Sequence, residues 1–411
     1  MSVPAPDPAP EQPICNVFCL RPRAGALGDE ALFQQVRRHV YAAFGPWVNL
    51  ISLPLGGGSL GRAGITSRTV YEFNHCGHGL IICGSADARN TETLDVDPAA
   101  LATLELPILG LGLSGRRVPS LDGSKRLDLF GLREDVLSAL ASRMPYLLCR
   151  DNLTRDGLAA LGQPHGLLGG CPTLSLEARP AGRNGGLEAQ ALMWEAEAPH
   201  VGALVTVRDP ARMGIPASQR AEFVGALRDL LGVLRRAGHS AVRLLCVDPS
   251  DLPFATSLAR NDFLLVDEVA TFMERMRACT LHVTFREDVA LMCAALGHPF
   301  VHLACSEEAR RPLETAGLHG WSLPLDDVEG LGPRVLQQAS RFDVFSTLRL
   351  GALPEWAEME RRTARLFRRF ATDVLRCRTD DLHRRPLSGG ALGLEPDETR
   401  VEVRRTPPRA E

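Results

Sequence analysis

Residues 278–300 read ACTLHVTFREDVALMCAALGHPF. An apolar run, LHVTF (281–285), has the length and β-branched character of a buried strand, and VALMCAALG behind it has the length of a buried helix. Three ionisable residues stand at the joint: Arg286, Glu287 and Asp288. Open parallel sheets bind ligands at the carboxyl ends of their strands, so this joint is a candidate site. Two readings stay open. In one, Glu287 and Asp288 stabilise the positive end of the helix and Arg286 pairs with them. In the other, Arg286 faces a cleft and holds an anion, while Asp288 is an acid–base group.

The same alternation runs outward in both directions. Upstream come ICNVFCL, DEALFQQVRRHVYAAF, VNLISLPL, LIICGS, PILGLGLSG, EDVLSALASRMP and YLLCRD. Residues 177–199 lose the pattern and gain Gly, Pro and Arg, as a linker would. It restarts with ALVTVRD, a long helical stretch, AVRLLCVD, LHVTF and PFVHLAC. Wholly apolar strands alternating with helices predict parallel sheets covered on both faces. The expected fold is therefore α/β, with two Rossmann-like parallel-sheet domains facing a cleft. The expected division is a disordered leader (1–13), an N-terminal domain (14–176), the linker, a C-terminal domain (200–350), a closing amphipathic helix (351–377) and a disordered tail (378–411). On that helix Trp356, Met359, Leu366, Phe370 and Val374 fall on one stripe.

Composition removes several functions. Of 46 lysine and arginine residues only Lys125 is a lysine, so a Walker A loop is absent and anion chemistry must be arginine chemistry. Net charge is −3 with a pI near 6.4, which recommends neither a nucleic acid nor a membrane surface as partner. No apolar run reaches the roughly 20 residues a membrane span needs. The Pro-rich opening lacks the basic and apolar regions of a signal peptide. Eleven cysteines, an odd number without a CxxC pair, fit free buried thiols in a reducing cytoplasm and argue against a structural zinc site. Nothing in these residues specifies an oligomeric state.

GLGLSG (110–115) matches a dinucleotide fingerprint literally, but Pro119 follows where a helix should open, so a glycine-rich strand end at a cleft is expected instead. PLGGGSLGRAG (54–64) has the composition of a phosphate-cradling loop and equally of a merely flexible one. NHCGHG (74–79) reads as a turn rather than a metal site. In LGDEAL, Asp29 and Glu30 open a helix; they either complement its dipole or hold sugar hydroxyls. Arg150 either binds an anion or pairs with Asp151. Cys171 has no His partner identifiable in the sequence.

Several of these segments, in this order, resemble the polysaccharide pyruvyl transferase family. The resemblance rests on LGDEAL, LIICGSADARN, PILGLGLSG, RDNLTRDGLAALG with GGCPTLSL, VTVRDPARMGIPASQ, LLCVDPSDLPFA and VTFREDVALMCAALGHPFVHLACSEEARRPLETAGL, across about residues 14–325. It implies a fold similar to B-type glycosyltransferases and transfer of a pyruvyl group from phosphoenolpyruvate, as donor substrate and without a cofactor, to a small-molecule or glycan acceptor. It also implies catalytic roles for Arg286 and Asp288, and a binding surface of Asp29, Glu30, Gly84, Arg150, Cys171, Arg208 and Glu307. The chain departs from that family where Asp288 and Glu308 replace an expected His and Arg. One such like-charge pair at 4 Å costs about 4 kcal/mol at an effective dielectric of 20, so the donor site is expected to be remodelled. The alternatives are a non-catalytic relative of that fold that binds carbohydrate or serves partner contacts, and a nucleotide-sugar glycosyltransferase.

Overall fold

The structure, a computed structural model, describes residues 14–380 except 23–25, 57–63, 86–92, 120–124, 177–201, 240, 260–261 and 326–327, with no side-chain description for 85 and 377–380. The expected leader and linker, most of the tail and the centre of the PLGGGSLGRAG loop lie outside the described residues.

The N-terminal lobe runs β1 (Cys15–Arg21), α1 (Leu27–Phe44), β2 (Val48–Pro54), α2 (Ser67–Cys76), β3 (Gly79–Ser85), α3 (Pro98–Thr103), β4 (Ile108–Ser114), β5 (Arg116–Pro119), β6 (Lys125–Asp128), α4 (Glu134–Ser142), β7 (Tyr146–Cys149), α5 (Asn152–Ala160) and β8 (Leu167–Leu168). Its sheet is ordered β2-β1-β3-β4-β7-β8 with every pairing parallel, while β5 and β6 form a separate antiparallel hairpin. The C-terminal lobe runs β9 (Ala203–Thr206), α6 (Pro210–Met213), α7 (Arg220–Arg236), β10 (Val242–Cys246), α8 (Leu252–Leu258), β11 (Phe263–Leu265), α9 (Val269–Arg277), β12 (Leu281–Thr284), α10 (Glu287–Leu296), β13 (Phe300–Ala304), α11 (Glu307–Thr315), β14 (Ser322–Pro324), α12 (Leu331–Ala339) and α13 (Phe342–Asp380). Its sheet, β11-β10-β9-β12-β13-β14, is also parallel throughout. Parallel strands need a cover on each face, which explains why β3, β4, β7, β9, β12 and β13 are buried almost from end to end.

The quoted stretch lies where residues of both lobes pack together. From Val289 to Leu296 every residue of α10 is buried, the mark of a helix with neighbours on all sides. Its cluster draws Leu27, Ala31, Leu174 and Leu176 from the N-terminal lobe together with Val247, Phe345 and Trp356. A backbone bond also crosses the lobes, from Leu27 N–H to the Val247 carbonyl at 2.9 Å. Helix α10 ends at Gly297 in the left-handed region (φ 67°), and Arg349 donates to the Ala294 and Ala295 carbonyls at 2.8 and 3.0 Å. A cation there complements the helix dipole.

Helix α13 begins at Phe342, earlier than the amphipathic pattern from 351 suggests, because its first turns are gathered into the C-terminal core through Phe345 and Ala352. It passes through Pro354 at a turn where Leu350 is exposed, so water can take the carbonyl that proline leaves unpaired. It then crosses to the N-terminal lobe, where Leu366, Phe367, Phe370, Ala371 and Val374 join that core. The five residues of the expected stripe are all buried.

Candidate functional site

The carboxyl ends of both sheets open onto one cleft. Pro22 follows β1, Gly112 lies near the end of β4, Arg150 follows β7, Arg208 follows β9, Asp248 follows β10 and Arg286 follows β12; all line a small chamber of about 70 Å3. Asp29, Leu32, Leu55, Cys171, Pro172 and Thr173 complete its N-terminal wall, with Glu287 and Asp288 opposite. A larger chamber of about 270 Å3 continues from it, lined by Arg116, Arg117, Arg150, Arg208, Arg212 and Arg311 together with Glu287, Glu308, Ser114 and Ser306. Six guanidinium groups thus face two carboxylates.

The opening joint resolves residue by residue. Arg286 is the N-cap of α10, extended (φ −113°, ψ 123°), and its own side chain makes no capping bond. Glu287 and Asp288 stand in the first turn, where Asp288 Oδ1 accepts the Val289 N–H at 2.8 Å, as the reading in which these acids stabilise the helix end expects. Arg286 pairs with Asp288, donating from Nε and Nη2 to its two oxygens at 3.2 and 3.0 Å. Burial pushes the Asp288 carboxyl up, but the Arg286 charge and hydrogen bonds outweigh it and hold the group at about 2. Asp288 also crosses the cleft. A Cβ built on Gly28 would lie 2.1 Å from Asp288 Oδ2, so the carboxylate rests against the first turn of α1. That helix has no side-chain cap of its own, and a carboxylate from the other lobe complements its positive end. The glycine of LGDEAL is therefore there for close approach, not for a turn.

Beneath this pair lies Asp251, fully buried, 3.5 Å from Arg286 Nη1 and 3.6 Å from Arg212 Nη1. Both approaches fall outside hydrogen-bond geometry. Burial therefore dominates and raises the Asp251 carboxyl above its ordinary range, against the pull of Arg286. Asp248 receives Arg212 at 3.4 Å and the Ser250 hydroxyl at 2.5 Å. Arg208 is buried, and burial first, then the Arg286 charge, lowers its pKa. On the facing wall Asp151 accepts from the Ser114 hydroxyl at 2.6 Å and from the Thr154 N–H and hydroxyl, each at 2.9 Å. It lies 3.9 Å from Arg311 of the other lobe. Arg150 lines both chambers. Glu308, the acid expected to repel a donor phosphate, is met by Arg311 at 3.8 Å.

Of the residues singled out from sequence, Asp29, Arg150, Cys171, Arg208, Arg286 and Asp288 meet in the small chamber. Glu30 pairs with Arg21 at 3.3 Å and lines neither chamber. Gly84 (φ 107°) is also set back; a Cβ there would lie 2.7 Å from Pro22 Cγ, so it seats a lining residue. Glu307 is exposed and lines neither chamber. Cys171 has the Thr173 hydroxyl as partner at 3.0 Å, and among the described residues no histidine bonds to it. The histidines under the cleft, His282 and His302, are pushed by burial to about 3 and about 4 and stay neutral. Arg116, Arg117, Arg212 and Arg311 escaped the sequence reading, although the adjacent arginines directly after GLGLSG were a visible signal. GLGLSG itself is a strand end at the cleft, with Gly112 and Gly115 lining its two chambers. Among the described residues no three metal-ligating side chains gather, and the ten cysteines with described side chains are free.

Two Rossmann-like domains facing a cleft, joined by a helix that runs back across both, define a GT-B-like fold. The solved structures similar to this chain share it. A Listeria monocytogenes protein named as a UDP-N-acetylglucosamine 2-epimerase matches over 82% of this chain and 91% of its own, with a TM-score of 0.50 and 12% identity. A Methanocaldococcus jannaschii UDP-GlcNAc 2-epimerase bound to UDP-GlcNAc and UDP follows at 0.49, with 11% identity over 80% and 93%. A Rickettsia africae glycosyltransferase follows at 0.48, with 10% identity over 88% and 99%. No protein-family model and no curated protein matches the sequence.

These findings correct the resemblance drawn from sequence. The similar structures carry the names of UDP-sugar epimerases and a glycosyltransferase, not of pyruvyl transferases. Phosphoenolpyruvate is accordingly withdrawn as the donor, and pyruvyl transfer as the activity. The physical reason the ordered segments misled is that strand ends and glycine-rich turns recur wherever two parallel sheets face a cleft.

Proposed function

We propose that this chain binds a nucleoside-diphosphate sugar between its lobes and transfers the sugar to a carbohydrate acceptor. The larger chamber carries the reading, because six arginines converge there from both lobes: Arg116, Arg117 and Arg150 from one, Arg208, Arg212 and Arg311 from the other. Guanidinium groups match phosphate oxygens in bidentate geometry and keep their charge when buried. A cavity of about 270 Å3 lined this way suits a diphosphate with part of its nucleoside. The adjoining small chamber, partly apolar and carrying Asp29 and Thr173, leaves separate room for hydroxyl-bearing groups, which supports transfer. The Listeria protein of the same fold is named for a UDP-sugar reaction, which supports the same donor class.

Titration calorimetry with UDP, GDP, dTDP and inorganic pyrophosphate tests the donor. At least one nucleoside diphosphate is expected to bind more tightly than pyrophosphate, and Arg208→Ala is expected to weaken it about tenfold, or ~1.4 kcal/mol. No binding at millimolar nucleotide would end the reading. Sugar inversion without transfer would keep the donor and replace transfer by epimerisation.

A further inference from the structure

The two chambers share three lining residues: Arg150, Arg208 and Glu287. On the donor reading above, that junction is where the sugar must sit, between a diphosphate held in the arginine chamber and an acceptor in the small one. A reaction at the anomeric carbon needs a group there to take the proton of the attacking hydroxyl, and a carboxylate is one of the side chains that can.

Five carboxylates line the two chambers: Asp29, Asp248, Glu287, Asp288 and Glu308. Asp288 is bound at both oxygens by Arg286. Asp248 is held by Arg212 and Ser250, and Glu308 lies beside Arg311. Asp29 lines only the small chamber, not both. Glu287 is half-buried, and among the described residues it makes no hydrogen bond or ion pair. It lies within electrostatic reach of Arg150, Arg208 and Arg286. Successive residues of a helix diverge by about 100° around its axis. Asp288 can therefore be turned into the lobe contact while Glu287, one position earlier, stays at the junction. The rigid core helix behind it, buried from Val289 onward, holds that position.

We propose that Glu287 is the catalytic base of sugar transfer, and that the acid–base role the sequence suggests for Asp288 belongs to its neighbour. The acceptor oxygen forms its bond to the anomeric carbon while its proton passes to a Glu287 carboxylate oxygen. The bond from that carbon to the diphosphate oxygen breaks, and its electron pair leaves with the diphosphate. Arg150 and Arg208, lining the same junction, receive the charge that develops on the leaving group.

The test is turnover of a panel of UDP-, GDP- and dTDP-sugars, with water and simple sugars as acceptors, by wild type, Glu287→Gln and Glu287→Asp. Nucleoside diphosphate release is the readout, and calorimetric nucleotide binding and thermal denaturation are measured alongside. Glu287→Gln is nearly isosteric and is expected to lower kcat by about 10²–10⁴-fold, with the KM for donor and the nucleotide affinity changed less than about threefold. Glu287→Asp, which keeps the carboxylate, is expected to retain more turnover than the amide. The proposal is overturned if the amide turns over within about threefold of wild type, or if KM rises while kcat is kept. It is equally overturned if wild type binds nucleotide sugars and turns none over. A wild type that binds no nucleotide at all overturns the donor reading, and this inference with it.

Discussion

Arg286→Ala is expected to destabilise the protein by about 3–5 kcal/mol, the usual cost of removing one partner from a buried ion pair. The arginine serves two carboxylates. It binds Asp288 through two nitrogens and stands 3.5 Å from the fully buried Asp251. Without it both acids face burial with less compensation. The pH dependence should change sign. In wild type the Asp288 carboxyl is held at about 2, below its ordinary 3.8. Its contribution is therefore full above about pH 4 and is lost as pH falls through 2. Asp251 works the other way, because burial raises its pKa and the folded protein takes up that proton more readily. In the variant both carboxyls lose their main cation and shift upward, so its deficit should shrink as pH is lowered from 7 towards 4. Denaturant titrations at several pH values measure this. A deficit below about 1 kcal/mol, or one independent of pH, would show that the pair contributes little. The effect should also resist salt, since the groups are shielded from mobile ions.

Gly28→Ala should destabilise the protein by about 2–3 kcal/mol, an overpacking cost concentrated at one contact. The added methyl would lie 2.1 Å from Asp288 Oδ2 and 2.8 Å from its Cβ. Because Asp288 is pinned by Arg286, neither side can yield without moving a lobe. Asp288→Ala in the same chain should restore part of the loss, and the double-mutant cycle should show coupling well beyond the few tenths of a kcal/mol seen for independent sites. Strict additivity would mean that the two residues do not meet in solution and that the lobes are set differently.

Both expectations concern the same three-residue joint, and it shows where reading a sequence stops. Local patterning placed a strand up to Phe285 and a buried helix behind it, and β12 and α10 lie there. Sheet ends were equally legible, because only parallel strands covered on both faces are apolar throughout. That rule brought Arg150, Arg208, Arg286 and Asp29 towards one cleft, and they do line the same chamber. Glu30, Gly84 and Glu307 were carried along by position in a motif, yet each points its chemistry elsewhere: into Arg21, against Pro22 and into solvent. One helical step is enough to turn a side chain from the cleft to the surface.

Hydrophobic period and strand composition, which are local properties of the chain, determined the fold class and the strand ends, and the single lysine of the composition determined the dependence on arginine for any anion. What each charge does was decided only when two lobes far apart in sequence were brought together. Whether Asp288 meets ligand or the amino end of α1, and whether Glu287 lies between the chambers, depends on the distance from residue 28 to residue 288. That distance is a property of packing, because electrostatic interaction follows separation and burial in space rather than order along the chain.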